Sequence, residues 1–190
     1  KKKYQNDLEE IKTIELRNID FKYDNSGSEV FKNLNFEINK NECVGIVGPS
    51  GSGKTTLIDI ILGLLSPSNG EIFINGKILK NHVSILEGNI AYLPQEPMVL
   101  EESIETNITL EKDKNKINSK KLSQSIIYSN FEEVLAKLTS GLNTMIGEKG
   151  VRLSGGQNKR LALARVLYHG KNFLILDEAT SSLDKESENY

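Results

Sequence analysis

Apolar and polar positions alternate along the first part of the chain. Ile14 and Leu16, then Ile19, Phe21 and Tyr23, are separated by polar residues, with a change of phase at Asn18. Period-two alternation of this kind predicts half-buried strands, and a bulge or tight turn at Asn18 accounts for the slip. Asp24-Asn25-Ser26-Gly27 is a turn cluster. Leu34, Phe36 and Ile38 then set out another alternating strand before Asn39-Lys40-Asn41, so antiparallel pairing is expected. Residues 44–47 (VGIV) and 173–176 (FLIL) are apolar without alternation, which predicts strands buried on both faces, as in a parallel sheet under helices. Residues 90–93 (IAYL) read as one more strand.

Residues 100–138 are more polar and lean towards helix, with a charged connector over residues 112–121. Leu122, Ile126, Val134, Leu135 and Leu138 predict helices with one apolar face. Ser129-Asn130-Phe131-Glu132 has capping-box form, and Gly141 stands where a helix would stop. The whole reads as a helical insertion in an α/β core, with no internal repeat.

Composition narrows the class. A chain of 190 residues accommodates one globular domain with a smaller appended subdomain. The formal charge of -2 and pI near 5.8 lack the basic footprint of nucleic-acid binders, so no nucleic-acid partner is expected. Cys43 is the sole cysteine, which excludes an intrachain disulfide and a Cys/His zinc cluster and fits a reducing setting. Cys43 is expected to be a small buried residue, and His82 and His169 surface or packing residues. No apolar run approaches the roughly 18 residues of a membrane span. Lys1-Lys2-Lys3 is followed by no signal-peptide core and reads as a solvated end, linker or tag.

Candidate chemistry lies first in Gly48-Pro49-Ser50-Gly51-Ser52-Gly53-Lys54-Thr55, which satisfies G-x-x-x-x-G-K-[ST] between an expected strand and the helical residues 57–62. Gly48, Ser50, Gly51, Ser52, Gly53, Lys54, Thr55 and Thr56 are therefore candidate phosphate binders. Backbone N–H groups of the loop and the helix N-terminus would face phosphate oxygens, Lys54 the β and γ phosphates, and the Thr55 hydroxyl a magnesium ion. Asp177, at the end of the run 173–176, is the candidate magnesium carboxylate, and Glu178 the candidate general base for an attacking water.

A second glycine-bearing turn, Leu153-Ser154-Gly155-Gly156-Gln157, precedes an expected helix over residues 160–168. A serine and two glycines there can cap the helix or present a hydroxyl and N–H groups to an anion. With this pentapeptide the chain resembles the nucleotide-binding domain of ABC transporters over nearly its whole length. The family's elements stand in order: Tyr23, the phosphate loop, Gln95 after the run 90–93, the signature, Asp177-Glu178 and Ser181-Ser182-Leu183-Asp184. The resemblance implies that Tyr23 stacks on adenine and that Gln95 senses magnesium and the attacking water. It implies that Ser154, Gly155, Gly156 and Gln157 close on ATP held by a second ABC domain in a head-to-tail dimer, with Asp184 communicating between the two sites.

The implied fold is α/β: a P-loop NTPase core with a parallel sheet flanked by helices, an N-terminal antiparallel β subdomain, and an α-helical subdomain carrying the signature. Residues 12–95 would form the β subdomain and phosphate loop, 96–160 the helical subdomain, and 161–190 the return to the core. Residues 144–150 (TMIGEKG) resemble the exporter-type motif that touches transmembrane coupling helices, and residues 103–108 (SIETNI) have the same character. The expectation is thus the ATPase of an exporter, using ATP and Mg2+, partnered by a transmembrane domain at the cytoplasmic side of the cell membrane. The alternative is a soluble ABC ATPase of chromosome maintenance, DNA repair or translation. The family's switch histidine lies beyond Tyr190, so the chain is expected to be a fragment truncated at the C-terminus; His169 precedes Asp177 and cannot substitute for it.

Overall fold

The computed structural model describes residues 10–24, 28–79, 89–147 and 150–177. They divide into two units, one ending at Ile90 and the other beginning at Ala91.

The first unit holds strands β1 (Thr13–Lys22) and β2 (Glu29–Asn39), helix α1 (Lys54–Ile61), and strands β3 (Asn69–Ile74) and β4 (Lys77–Ile78). The strands form an antiparallel sheet in the order β2-β1-β3-β4. Ile14, Leu16, Ile19 and Phe21 are buried, as the alternation predicts. The slip at Asn18 is a bulge: Leu16 faces Phe36 while Ile19 faces Leu34, so β1 advances three residues against two on β2. Asn18 takes a left-handed φ of 51°, which asparagine tolerates better than most side chains.

The partner strand answers it. Ile19 faces Leu34 but Phe21 faces Phe31, so here β2 carries the extra residue, and Asn33 is left-handed too. These two opposite slips cancel, so Phe21 meets Phe31 in the register of Leu16 and Phe36, before a further shift at Lys22 and Glu29 ends the pairing. Asparagine and aspartate side chains supply the hydrogen bonds that the bulges interrupt. Asn35 Oδ1 accepts from the Asn18 N–H at 3.0 Å, and Asp20 Oδ1 accepts from the Asn33 N–H at 2.7 Å. That N–H first, and then the Asn69 amide, hold the Asp20 carboxyl below its usual pKa.

Strand β3 was not legible in the alternation, because Ile72, Phe73 and Ile74 are all buried in succession. The Arg17 guanidinium lies 4.2 Å from the centre of the Phe73 ring and covers the face that solvent would otherwise reach. Residues 44–47 depart from expectation. They form no strand, Val44 and Ile46 are exposed, and Val47 is 92% exposed. A strand exists only where a neighbour accepts and donates its ladder of hydrogen bonds, and none pairs with this run among the described residues. Cys43, beside it, is exposed for the same reason rather than buried.

Strand β5 (Ile90–Leu93), which starts at the boundary residue and runs into the second unit, pairs with β6 (Phe173–Leu176) in a two-stranded sheet. Leu174 and Leu176 are exposed and Phe173 and Ile175 only half-buried, so β6 is not the strand buried on both faces that its composition predicts. Helices α2 (Ile104–Thr109), α3 (Ser119–Tyr128), α4 (Glu132–Leu135) and α5 (Gly155–His169) supply the rest, with short 3-10 turns at Lys114–Lys116 and Gly141–Asn143. Their core joins Ile104, Ile108, Leu122, Ile126, Phe131, Val134, Ile146, Leu161 and Ala164.

Local propensity cannot hold a helix of four residues such as α4. The burial of Phe131 and Val134, worth about 1.5–3 kcal/mol each, does so. The expected capping box at Ser129 is absent. Phe131 is the N-cap of α4, and the buried Ser129 closes α3 instead, its hydroxyl donating to Ile126 O at 3.0 Å. Gly141 does not stop a helix: α4 already ends at Leu135, and Gly141 opens a 3-10 turn. His169 packs edge-on against Tyr168 at 5.3 Å, where burial, aided by Lys171, Arg165 and Lys121, lowers its pKa. Among the described residues no helix is long and apolar enough to cross a membrane.

Gly70 of β3 has a φ of 92°, and a Cβ there would lie 2.5 Å from the carbonyl oxygens of Arg17 and Asn18 in the β1 bulge. Gly70→Ala is expected to destabilise the protein by about 2 kcal/mol or more, from left-handed strain and backbone collision together. Chemical denaturation measures this; an unchanged midpoint would rule out so close an approach.

Candidate functional site

The phosphate-loop residues 48–53 lead into α1 through Gly53, whose φ of 93° and ψ of 10° make it a left-handed N-cap. Only glycine serves here, because a Cβ would also lie 2.8 Å from Val30 Cγ1 and 2.9 Å from Phe31 Cζ of β2. The sheet thus fixes where the loop enters the helix. Inside the loop, Pro49 O accepts from the Ser52 N–H at 3.2 Å. The Lys54 ammonium donates to Gly48 O and Pro49 O, both at 2.9 Å, which occupies two of its three N–H groups on the loop's own backbone. Thr55 is exposed in the first turn, while Thr56 is buried and its hydroxyl lies 2.9 Å from the Tyr23 hydroxyl.

Tyr23 is therefore brought to the first turn of α1. Its ring is 42% exposed and rests edge-on against Phe21 at 5.0 Å, so it is a surface aromatic with a fixed tilt and not a core residue.

Within the second unit, Asp177 follows directly on β6 and is buried to 9% exposure. Its N–H donates to Leu93 O at 2.9 Å, and its Oδ2 accepts from the Tyr92 hydroxyl at 3.5 Å. The same strand end leads through Pro94 to Gln95, which is exposed. Asp177 and the start of the Gln95 loop are thus tied by one backbone hydrogen bond. Glu178, Asp184 and residues 181–183 lie outside the described residues, as do His82, residues 1–3 and 25–27, and Glu148 and Lys149.

The signature turn opens α5 earlier than the expected Arg160, because Ser154 and Gln157 form a complete capping box. Ser154 Oγ accepts from the Gln157 N–H at 3.3 Å, and Gln157 Oε1 accepts from the Ser154 N–H at 2.8 Å. The serine hydroxyl is used here as an acceptor, so its own proton stays available to a ligand. Gly155 and Gly156 stand in the first turn, where a helix provides no acceptor for its N–H groups. Capping and anion presentation are compatible in this geometry.

The two segments with exporter character are joined. Ser103 and Met145 form an isolated bridge, the Ile104 N–H donates to Thr144 O at 3.0 Å, and the Ile146 N–H donates to Glu102 O at 3.1 Å. Asn107 and Arg165, which sequence reasoning passed over, are hydrogen-bonded to one another in the same unit. Their signal is a polar residue on an apolar face: Asn107 lies between Ile104 and Ile108, and Arg165 follows Leu161 and Ala164.

The family model described as ABC transporter matches residues 31–181. A Rickettsia typhi protein whose name describes an export ATP-binding/permease protein is 42% identical over 93% of this chain and 31% of its own length. The alpha-hemolysin translocation ATP-binding protein HlyB of Escherichia coli O157:H7 is 39% identical over 100% of this chain and 27% of its own. Among solved structures, a bacterial Atm1-family ABC exporter with ATP bound superposes with a TM-score of 0.82 at 30% identity, across 94% of this chain and 31% of that one. The chain spans about a third of the length of the curated relatives it matches.

The capping box separates two duties of Ser154. Ser154→Ala is expected to cost about 1 kcal/mol of stability by removing the acceptor for the Gln157 N–H, whereas Ser154→Asp, itself a good N-cap, should restore it. Thermal melts of the two variants decide whether the serine caps as described; equal stabilities would argue that it does not.

Proposed function

The chain belongs to the ABC transporter family, and from that premise we propose that it is the ATP-binding and ATP-hydrolysing domain of an exporter-type membrane transporter. The observation that carries the reading is the presence of two differently built helix N-termini in one chain. One is entered through a left-handed glycine and followed at once by Lys54; the other is capped by a serine whose proton is free.

The family resemblance gives the second grip its role: it acts on a nucleotide held by a second ABC domain, head to tail. Lys54 exchanges its bonds to Gly48 O and Pro49 O for the β and γ phosphates, while N–H groups of the loop and the α1 N-terminus surround them. Tyr23, tilted by Phe21 and Thr56, offers its exposed ring to adenine. Ser154, Gly155, Gly156 and Gln157 meet the partner's γ phosphate.

A magnesium ion would be held by the Thr55 hydroxyl, the Gln95 amide and the Asp177 carboxylate, each an oxygen donor of the kind it takes; within its own unit the Asp177 carboxylate is oriented by its N–H bond to Leu93 O and by Tyr92. When bound, it would neutralise charge on the phosphates. Glu178 takes the proton of the attacking water, and Asp184 links the two sites. The joined segments at Ser103 and Met145 form the contact with the transmembrane domain's coupling helices, at the cytoplasmic side of the membrane. No nucleic acid takes part.

Lys54→Ala in the complete protein is expected to abolish high-affinity Mg-ATP binding in a nucleotide titration; unchanged affinity would refute the phosphate-loop assignment. Glu178→Gln should retain binding while slowing turnover by about a hundredfold or more. Sharing of sites is tested by mixing Lys54→Ala with Ser154→Asp, whose carboxylate repels the partner's phosphate. The mixed pair collects both lesions in one site and leaves the other intact, so partial ATP-dependent association should return, as it should when wild type is paired with a double mutant. No recovery in the mixture, beside recovery in that control, would count against the sandwich.

A further inference from the structure

Arg165 lies on α5, the helix opened by the signature turn, and its guanidinium is half-buried. Its Nε donates to Asn107 O at 2.6 Å, its Nη2 to Asn107 Oδ1 at 3.1 Å, and its Nη1 to Met98 O at 2.9 Å. All three acceptors are neutral oxygens. Burial lowers the Arg165 pKa, yet an arginine remains charged at neutral pH. Removing a cation from water without a carboxylate to meet it is a poor source of stability, so what the fork supplies is direction.

Asn107 is the other half of the arrangement and is 0% exposed. Its Nδ2 donates to Leu100 O at 3.0 Å, Ser103 O at 3.1 Å and Glu102 O at 3.3 Å, and its Oδ1 also accepts from the Leu100 N–H at 2.8 Å. One amide thus folds residues 100–103 around itself. Gln95 lies just upstream, in a short loop held at both ends. At one end Leu93 O is held by the Asp177 N–H; at the other Met98 O is held by Arg165. Pro94 and Pro97 flank Gln95 and lock φ at both positions, so the loop has little slack.

We propose that Asn107 and Arg165 form a clamp that couples the Gln95 loop to the signature helix, with Arg165 a positioning residue for nucleotide turnover. The proposal rests on the ATPase reading above. Displacement of α5 on closure of the signature turn is passed by Nη1 to Met98 and along the proline-stiffened loop to Gln95. The same guanidinium passes it through Asn107 to the segment at Ser103 that is bridged to Met145. Arg165 touches no substrate in this scheme; it acts through the groups that do.

The test uses the complete protein with Mg-ATP and compares Arg165→Lys, Asn107→Ala and the double variant. Lysine keeps the charge and most of the stem but loses the planar fork. The expected result for Arg165→Lys is a kcat lowered about tenfold or more with KM and ATP affinity within about threefold, which marks a loss confined to the turnover step. The double variant should be no worse than the more damaged single one, since both lesions break one unit. Thermal melts accompany each assay, and Arg165→Lys alone carries the test where Asn107→Ala does not fold. Wild-type kcat in Arg165→Lys, activity that falls only with the folded fraction, or additive losses in the double variant would each overturn the clamp. No turnover by the unsubstituted protein would overturn the ATPase reading and the clamp together, a result distinguishable from any of these.

Discussion

A helix leaves its first N–H groups without acceptors, and both candidate grips of this chain are built on that deficit. What differs is how each deficit is managed. At α1 the sheet crowds the cap position so closely that only glycine fits, and a lysine in the first turn folds back on the loop's carbonyls. At α5 a serine and a glutamine satisfy each other reciprocally, which steadies the turn while two glycines remain bare. In the proposed function the first end encloses a chain of phosphates and the second meets a terminal one.

Local chemistry was the part most readily read from residues. The phosphate loop and the signature could be recognised because each depends on a few neighbouring residue types at fixed spacing. The phase slip at Asn18 was legible because an extra residue in a strand must move every later side chain to the other face. Phe31 and Leu34 show the same three-residue step in β2, but only the pairing with β1 reveals that it offsets the first slip. The expected capping box at Ser129 failed because burial of Phe131 takes precedence over a cap worth less. Residues 44–47 have the composition of a covered strand, but composition cannot supply the neighbour that makes one.

Polar residues inside the helical unit were the least legible of all. Nothing in the spacing of Asn107 and Arg165 announces that they meet, since they are 58 positions apart and both lie on stretches that read as ordinary amphipathic helix. The information is three-dimensional: α2 and α5 share the core of Ile104, Ile108, Leu161 and Ala164, and the polar pair meets in the same packing. The charged connector over residues 112–121 hides its short helical pieces for the related reason that its order comes from side chains. Asp113 caps the 3-10 turn that follows it, Asn118 caps helix α3, and the Tyr168 hydroxyl accepts from the Asn118 N–H.

The bulge at Asn33 has a second significance, because among the described residues β2 is an outer strand of its sheet. Eleven residues of unpaired edge would otherwise be an open template for a foreign strand, and apolar Val30, Phe31, Leu34, Phe36 and Ile38 would make the match adhesive. The bulge at a left-handed asparagine interrupts the regular edge, as bulges on edge strands do. Lys32, Asn35 and Glu37, exposed on either side, oblige any newcomer to meet charge or amide at alternate positions. The residue that restores register within the sheet therefore also guards its border, and a regular, bulge-free β2 would fit its partner less well while inviting aggregation.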